Sequence, residues 1–248
     1  MIPIKLRIIR EKNRIYRLLL KILARFTPDA PKVYLFHDIL LDNSLVTSKF
    51  QLSIDSFERF IETQLRNGNK ALTFQELSDV VLKGKRNKKS FIITFDDINE
   101  SVFTYAYPIL KKHNIPFILF ITRELIGKPN FISQKHLLEL AKDNLCTVGS
   151  HALTHRMFRY LCEDEMKMEL DESKLFLEQL TGRKVECFAF PYGRIVECSR
   201  RNVGYMKKSV YNFAFSAMEG TLAQKSISTK FFLPRVNVDE SMVNHNDY

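Results

Sequence analysis

Two adjacent aspartates, Asp96 and Asp97, follow directly on an apolar and β-branched run in FIITFDDINE (91–100). Packing gives no reason for two carboxylates at the mouth of a hydrophobic strand. Neighbours this close are not both comfortably ionised in a poorly hydrated site unless a cation or a hydrogen-bond network separates them. A chemical reading gives them different tasks, one as metal ligand and one as base. The structural alternative is an Asp pair forming the cap and first turn of the next helix. In GSHALTH (149–155), His151 and His155 stand four apart, a spacing that lets two imidazoles converge on one ion from a helical turn or tight loop. Ala152 stands where the glutamate of the zinc-protease pattern HExxH would be, which excludes that pattern. The spacing also suits surface or capping histidines. Two histidines and one carboxylate, each from a strand end, make three ligands with positions open for water, the layout of a hydrolytic metal site. FAFPYG (188–193) ends another strand. Pro191 fixes φ and Gly193 relaxes it, so peptide N–H groups there can face a cavity, or the segment is an ordinary turn with Tyr192 packed over it. YLFHD (34–38) ends the first strand on His37, a position that structural histidines also fill.

These residues need a frame that brings strand ends together. After Pro28 and Pro31 the pattern alternates strand and helix. VYLFH (33–37) reads as a strand, and 53–68 as a helix with Ser53 as N-cap and Gly68 as stop. The stretch 73–84 opens on the capping-box pair Thr73 and Glu76 and closes on Gly84. A strand over 90–95, a helix over 101–112 and a strand over 115–122 follow. A helix over 133–143, a strand over 145–150 and a long helix over 163–181 come next. The strand 186–190, a helix over 197–208 and further short strands complete the pattern. Strands apolar on both faces, alternating with helices, imply a parallel sheet covered by helices. About seven units fit, which predicts an α/β fold: an irregular (β/α) barrel rather than an open doubly wound sheet, with chemistry at the C-terminal strand ends. No internal repeat or interdomain linker is visible, so the expected organisation is an N-terminal segment, 1–30, and one catalytic domain, 31–248.

Hydrophobic residues make up 45% of the 248, enough for a sizeable core. The four cysteines form no CxxC pair and read as reduced thiols rather than a disulfide framework. The net charge of +10 is local: residues 1–26 carry eight basic side chains against Glu11 alone, leaving only +3 for the rest of the chain. That argues against a nucleic-acid partner for the domain. Arg10, Arg14, Arg17, Lys21 and Arg25 recur at helical spacing opposite Ile8, Ile15, Leu19, Ile22 and Phe26, a basic amphipathic helix. It suits either docking on its own domain or contact with an anionic membrane surface. Charges interrupt any secretory apolar core, which makes a cytoplasmic location the expectation.

Taken together and in order, TFDD, HxxxH and PYG resemble the NodB-homology polysaccharide deacetylases over roughly 31–240. The resemblance implies a metal-dependent carbohydrate de-N-acetylase acting on an acetylated glycan or glycolipid, with a divalent ion, zinc, as cofactor. It implies Asp96 as base, Asp97, His151 and His155 as metal ligands, and a Tyr192 backbone N–H at the oxyanion site. The family's Leu-x-His general acid is absent near the C-terminus; Leu35-Phe36-His37 supplies it early, the permuted order of the poly-N-acetylglucosamine deacetylases. Two departures stand out. Ile98 replaces the glycine that often follows TFDD, which predicts a narrower cleft. Ala189 stands where many members carry an arginine bracing the base, and Arg235 in LPRVNVD takes over that task or forms a structural ion pair. A catalytically inactive carbohydrate-binding relative, or a membrane-associated scaffold, is the competing function class.

Overall fold

The computed structural model describes residues 30–84, 88–222 and 230–245. The basic segment 1–26, expected as an amphipathic helix, lies outside the described residues. Strand β1 (Lys32–Phe36) leads into β2 (Asp38–Leu40) and β3 (Gln51–Ser53), which pair with each other in parallel as a small separate sheet. Helix α1 (Ile54–Arg66) starts where Ser53 accepts a hydrogen bond from the Ser56 amide, as the sequence predicts. After β4 (Lys70–Ala71), helix α2 (Phe74–Lys83) opens on the full capping box of Thr73 and Glu76 and ends on the left-handed Gly84. Strand β5 (Ser90–Asp96) is buried along its whole length.

The helix expected over 101–112 is real but opens irregularly. A π-helical turn, Val102–Ala106, precedes α3 (Tyr107–Lys112), and Pro108 in the first turn explains it by lacking the N–H that a regular register would use. Strand β6 (Phe117–Ile121), helix α4 (Gln134–Lys142), strand β7 (Cys146–Ser150) and helix α5 (Glu163–Thr181) match their expected places. Strand β8 (Cys187–Ala189) follows. The helix expected over 197–208 breaks into α6 (Ile195–Cys198), α7 (Arg200–Tyr205) and a final 3₁₀ turn, because Ser199 adopts φ +63° between them. Strands β9 (Phe213–Phe215) and β10 (Val236–Asn237) and helix α8 (Glu240–His245) complete the described chain.

The main sheet is parallel, in the order β10-β1-β5-β6-β7-β8-β9, with β4 pairing the start of β5. It curls. Phe120 of β6 and Phe215 of β9 lie three strands apart along the sheet, yet their ring centroids are 5.3 Å apart. The face they share is therefore the concave one. The C-terminal segment reaches both edges of the curl: Leu233 bridges Phe215, while Val236 and Asn237 pair with Tyr34 and Leu35. This is the predicted irregular barrel, with its seam closed by one short segment.

Alternation along β5 sorts the side chains. Ile92, Thr94 and Asp96 share the concave face with Val33, Phe120 and Phe213, whereas Phe91, Ile93 and Phe95 face the outer core with Phe36, Phe57 and Phe60. Every strand therefore needs apolar residues on both faces, which is why the sequence shows near-continuous runs. At the end of β5 the inward position passes from Thr94 to Asp96. No helix among the described residues is long and apolar enough to cross a membrane.

Candidate active site

The functional side chains come from the C-terminal ends of β1, β5, β7 and β8 and from the seam segment. Asp96, the last residue of β5, is buried and held by Arg235, itself 1% exposed. The fork is bidentate: Nη1 donates to Oδ1 and Nη2 to Oδ2, each at 2.7 Å. The rest of the guanidinium is also committed. Its Nε donates to the Ser216 carbonyl at 2.8 Å, Nη1 reaches Thr94 Oγ1 at 3.3 Å, and its plane lies over the Phe120 ring. Burial pushes the Asp96 carboxyl up, but Arg235 and then His151 outweigh it, and the group is held below the usual carboxylate range. Arg235 braces Asp96 from the seam, and the Ala189 position that lacks an arginine contributes its backbone carbonyl instead.

That carbonyl accepts from His151 Nδ1 at 2.8 Å. The contact fixes the tautomer and turns Nε2 toward the carboxylates, 3.7 Å from Asp97 Oδ1 and 3.8 Å from Asp96 Oδ2. His155 Nε2 lies 3.2 Å from the same Asp97 Oδ1. The ligand atoms of Asp97, His151 and His155 all fall within 4.8 Å of one another. Asp97 Oδ1 is buried without a well-formed hydrogen bond among the described residues, and three lone-pair donors face one point. One carboxylate oxygen and two imidazole nitrogens fit a divalent transition metal. Burial pushes the Asp97 carboxyl up, but the close contact with His155 and then the charge of His151 outweigh it and hold it well below its ordinary range. Burial lowers His151, while for His155 the Asp97 contact overcomes burial and raises it.

Strain gathers here. Asp97 (φ +60°), Ile98 (+46°), Ala152 (+70°), His155 (+61°) and Tyr192 (+61°) all adopt left-handed conformations without being glycine. For β-branched Ile98 this is a true outlier. Its side chain does not narrow the cleft as the sequence suggested. It is fully buried in the outer core, and the turn closes through the Ile98 amide on the Asp96 carbonyl at 2.7 Å. That turn re-aims Asp97 away from the strand and toward the histidines.

The PYG turn places the half-exposed Tyr192 ring 4.8 Å from His155. The Tyr192 amide has no acceptor among the described residues. Gly193 is required: it has φ +64°, and a Cβ there would come within 2.5 Å of the Ala217 amide nitrogen. His37 lies just beyond β1, half-buried, with its ring edge-on to Phe50 at 4.8 Å. Its Nδ1 is buried with no hydrogen-bond partner among the described residues, and it is not one of the three convergent ligands. Burial lowers its pKa below the ordinary histidine value, although Asp96 and Asp97 pull the other way.

One participant went unseen in the sequence. Glu169 on α5 is fully buried and accepts hydrogen bonds from the loop between the two histidines. The available signal was a glutamate standing at helical spacing among the buried positions Met166, Leu170, Ser173 and Leu177.

Residues 83–209 match the family described as polysaccharide deacetylase. The chain is 28% identical over 211 residues to the poly-beta-1,6-N-acetyl-D-glucosamine N-deacetylase of Staphylococcus aureus (strain MRSA252), covering 79% of this chain and 70% of that protein. Among solved structures, IcaB from Ammonifex degensii aligns with a TM-score of 0.72 at 22% identity, over 88% of this chain and 95% of that one. The Streptococcus pyogenes deacetylase PplD, in complex with acetate, gives a TM-score of 0.77 at 19% identity, over 88% and 96%. At these identities the solved structures speak to a shared fold.

Proposed function

The chain belongs to the polysaccharide deacetylase family and is a carbohydrate de-N-acetylase; from that premise we propose that it removes N-acetyl groups from a poly-β-1,6-linked N-acetylglucosamine glycan. The observation that carries the reading is the convergence of Asp97, His151 and His155 beside an arginine-braced Asp96. Asp97, His151 and His155 would hold the ion, and zinc suits the donor set. A divalent ion there supplies Lewis acidity, lowering the pKa of a water towards about 7 and polarising the acetyl carbonyl.

Asp96 takes the proton of the attacking water. Its depressed pKa keeps it ionised at neutral pH, and Arg235 fixes its plane while leaving each oxygen a further lone pair for that proton. The Tyr192 amide, with no acceptor among the described residues, donates to the oxygen that gains charge as the carbonyl carbon becomes tetrahedral. His37 delivers a proton to the departing nitrogen, without which an amide does not expel its amine. That requirement favours an N-acetyl over an O-acetyl substrate as the function of this arrangement. The reading places the enzyme in the cytoplasm, with the basic segment 1–26 on an anionic membrane surface; the segment's charge supports this.

Acetate release tests the proposal. Purified protein is incubated with zinc and a panel of β-1,6 N-acetylglucosamine oligomers, peptidoglycan fragments and O-acetylated glycans. Acetate together with new free amine from the β-1,6 oligomers is the expected result. Release from the O-acetylated set alone would contradict it.

A further inference from the structure

From His151 to His155 the chain makes a loop with two left-handed residues, Ala152 and His155 itself. Its backbone groups are satisfied from two sides. The carbonyls of His151, Ala152 and Leu153 accept from Thr122 Oγ1 (3.1 Å), the Arg123 amide (3.3 Å) and the Glu124 amide (3.0 Å). On the other side, the Leu153 and Thr154 amides donate to Glu169 Oε2 at 2.8 and 3.0 Å, and the Thr154 hydroxyl donates to Oε1. Glu169 is 0% exposed and sits on α5, a helix that carries no other part of the site. Three donors from one dipeptide meet one buried carboxylate. Neither partner can be left unpaired without a large desolvation penalty, so each holds the other in place.

The two histidines depend on this clamp unequally. His151 has anchors of its own, its amide on the Ile121 carbonyl at 2.9 Å and its ring on the Ala189 carbonyl. His155 follows directly on Thr154, in a strained conformation, with its ring resting on the half-exposed Tyr192. We propose that Glu169 is a positioning residue for the metal: it sets the aim of His155 through the Leu153–Thr154 peptide. The inference rests on the metal-site reading above.

The test is zinc affinity, measured by chelator competition, together with the visible absorption of the cobalt-loaded protein. It uses the full chain with Glu169→Ala, Glu169→Gln and Thr154→Val. Glutamine still offers an oxygen to both amides and an NH₂ group to the threonine hydroxyl, so it should bind zinc nearly as the wild type does. Alanine should bind roughly 10- to 100-fold more weakly, with an altered cobalt band, as loss of an outer-shell partner does. Valine at 154 should fall between them. A purely structural role predicts something else: a lower unfolding temperature for the alanine variant with its zinc affinity and cobalt spectrum unchanged. That result would overturn the proposal. If the alanine variant does not fold, Thr154→Val decides, and zinc binding equal to wild type would overturn it. A wild-type protein that binds neither zinc nor cobalt would instead refute the metal site itself, and this inference with it.

Discussion

Arg235 and Asp96 form a buried pair in which a proposed base is also one half of a bidentate ion pair. The arrangement trades basicity for geometry, since the guanidinium that orients the carboxylate also lowers its proton affinity. Removing one partner of a buried pair leaves an uncompensated charge, so Arg235→Met should destabilise the protein by about 3–5 kcal/mol. The pH dependence has a definite sign. Asp96 is depressed in the folded state, so its contribution to stability is present above the unfolded carboxyl value and is lost as pH falls through the folded one. In Arg235→Met that depression is removed, so the part of the acid loss that Asp96 contributes should shrink, and chemical denaturation across a pH series would show it. An unchanged acid transition would mean that Arg235 does not govern Asp96. For His37, His37→Ala should retain bound zinc yet lose most amide hydrolysis, while activated acetyl esters, whose leaving groups need little protonation, should be largely spared. Equal loss on both substrates would remove His37 from the role of proton donor.

At the level of elements, the site is built from strand ends that turn abruptly through left-handed residues. The motifs were readable because the candidate residues adjoin the strands that aim them: TFDD ends β5, HALTH follows β7, and PYG follows β8. Capping signals at Ser53 and Thr73 were equally local, and both fix helix starts. What resisted reading was non-local or short. The three-residue strands β2 and β3 are too brief for a period to show, although their connection carries Phe50 to His37. Ile98 looked like a cleft residue because the sequence cannot show that a β-branched residue adopts φ +46° and points into the core. The PYG turn gives a sharp test of element geometry. Gly193→Ala places a methyl 2.5 Å from the Ala217 nitrogen, whose N–H donates to the Gly193 carbonyl at 2.7 Å and cannot retreat without losing that bond. The expected cost is at least about 2 kcal/mol, read by urea denaturation, with acetate release falling as the Tyr192 amide is displaced. A variant as stable as wild type would mean that the turn is more adaptable than its packing implies.

For the molecule as a whole, closing the curl is also what completes the site. The segment that joins β9 to β1 carries Arg235, 139 residues along the chain from Asp96. No local pattern predicts such a meeting, which is why the sequence left bracing and a structural ion pair as equal readings. The barrel class itself was legible, because parallel strands covered on both faces must be apolar throughout. Composition also anticipated the thiols. Cys146, Cys187 and Cys198 are buried, and burial pushes all three far above the usual thiol range, whereas Cys162 is exposed. Native alkylation should therefore modify one thiol per molecule, at Cys162, and mass mapping of a second rapid site would indicate that the core opens.

The division of labour between the paired aspartates is tested most directly by metal content and acetate release measured side by side on Asp96→Asn and Asp97→Asn. Asp97 Oδ1 faces both histidines, while Asp96 is turned to Arg235. Asp96→Asn should keep close to one equivalent of zinc and lose turnover, and Asp97→Asn should lose both. Equal loss of metal in the two variants, or acetate release that persists in Asp96→Asn, would contradict the assignment of base and ligand.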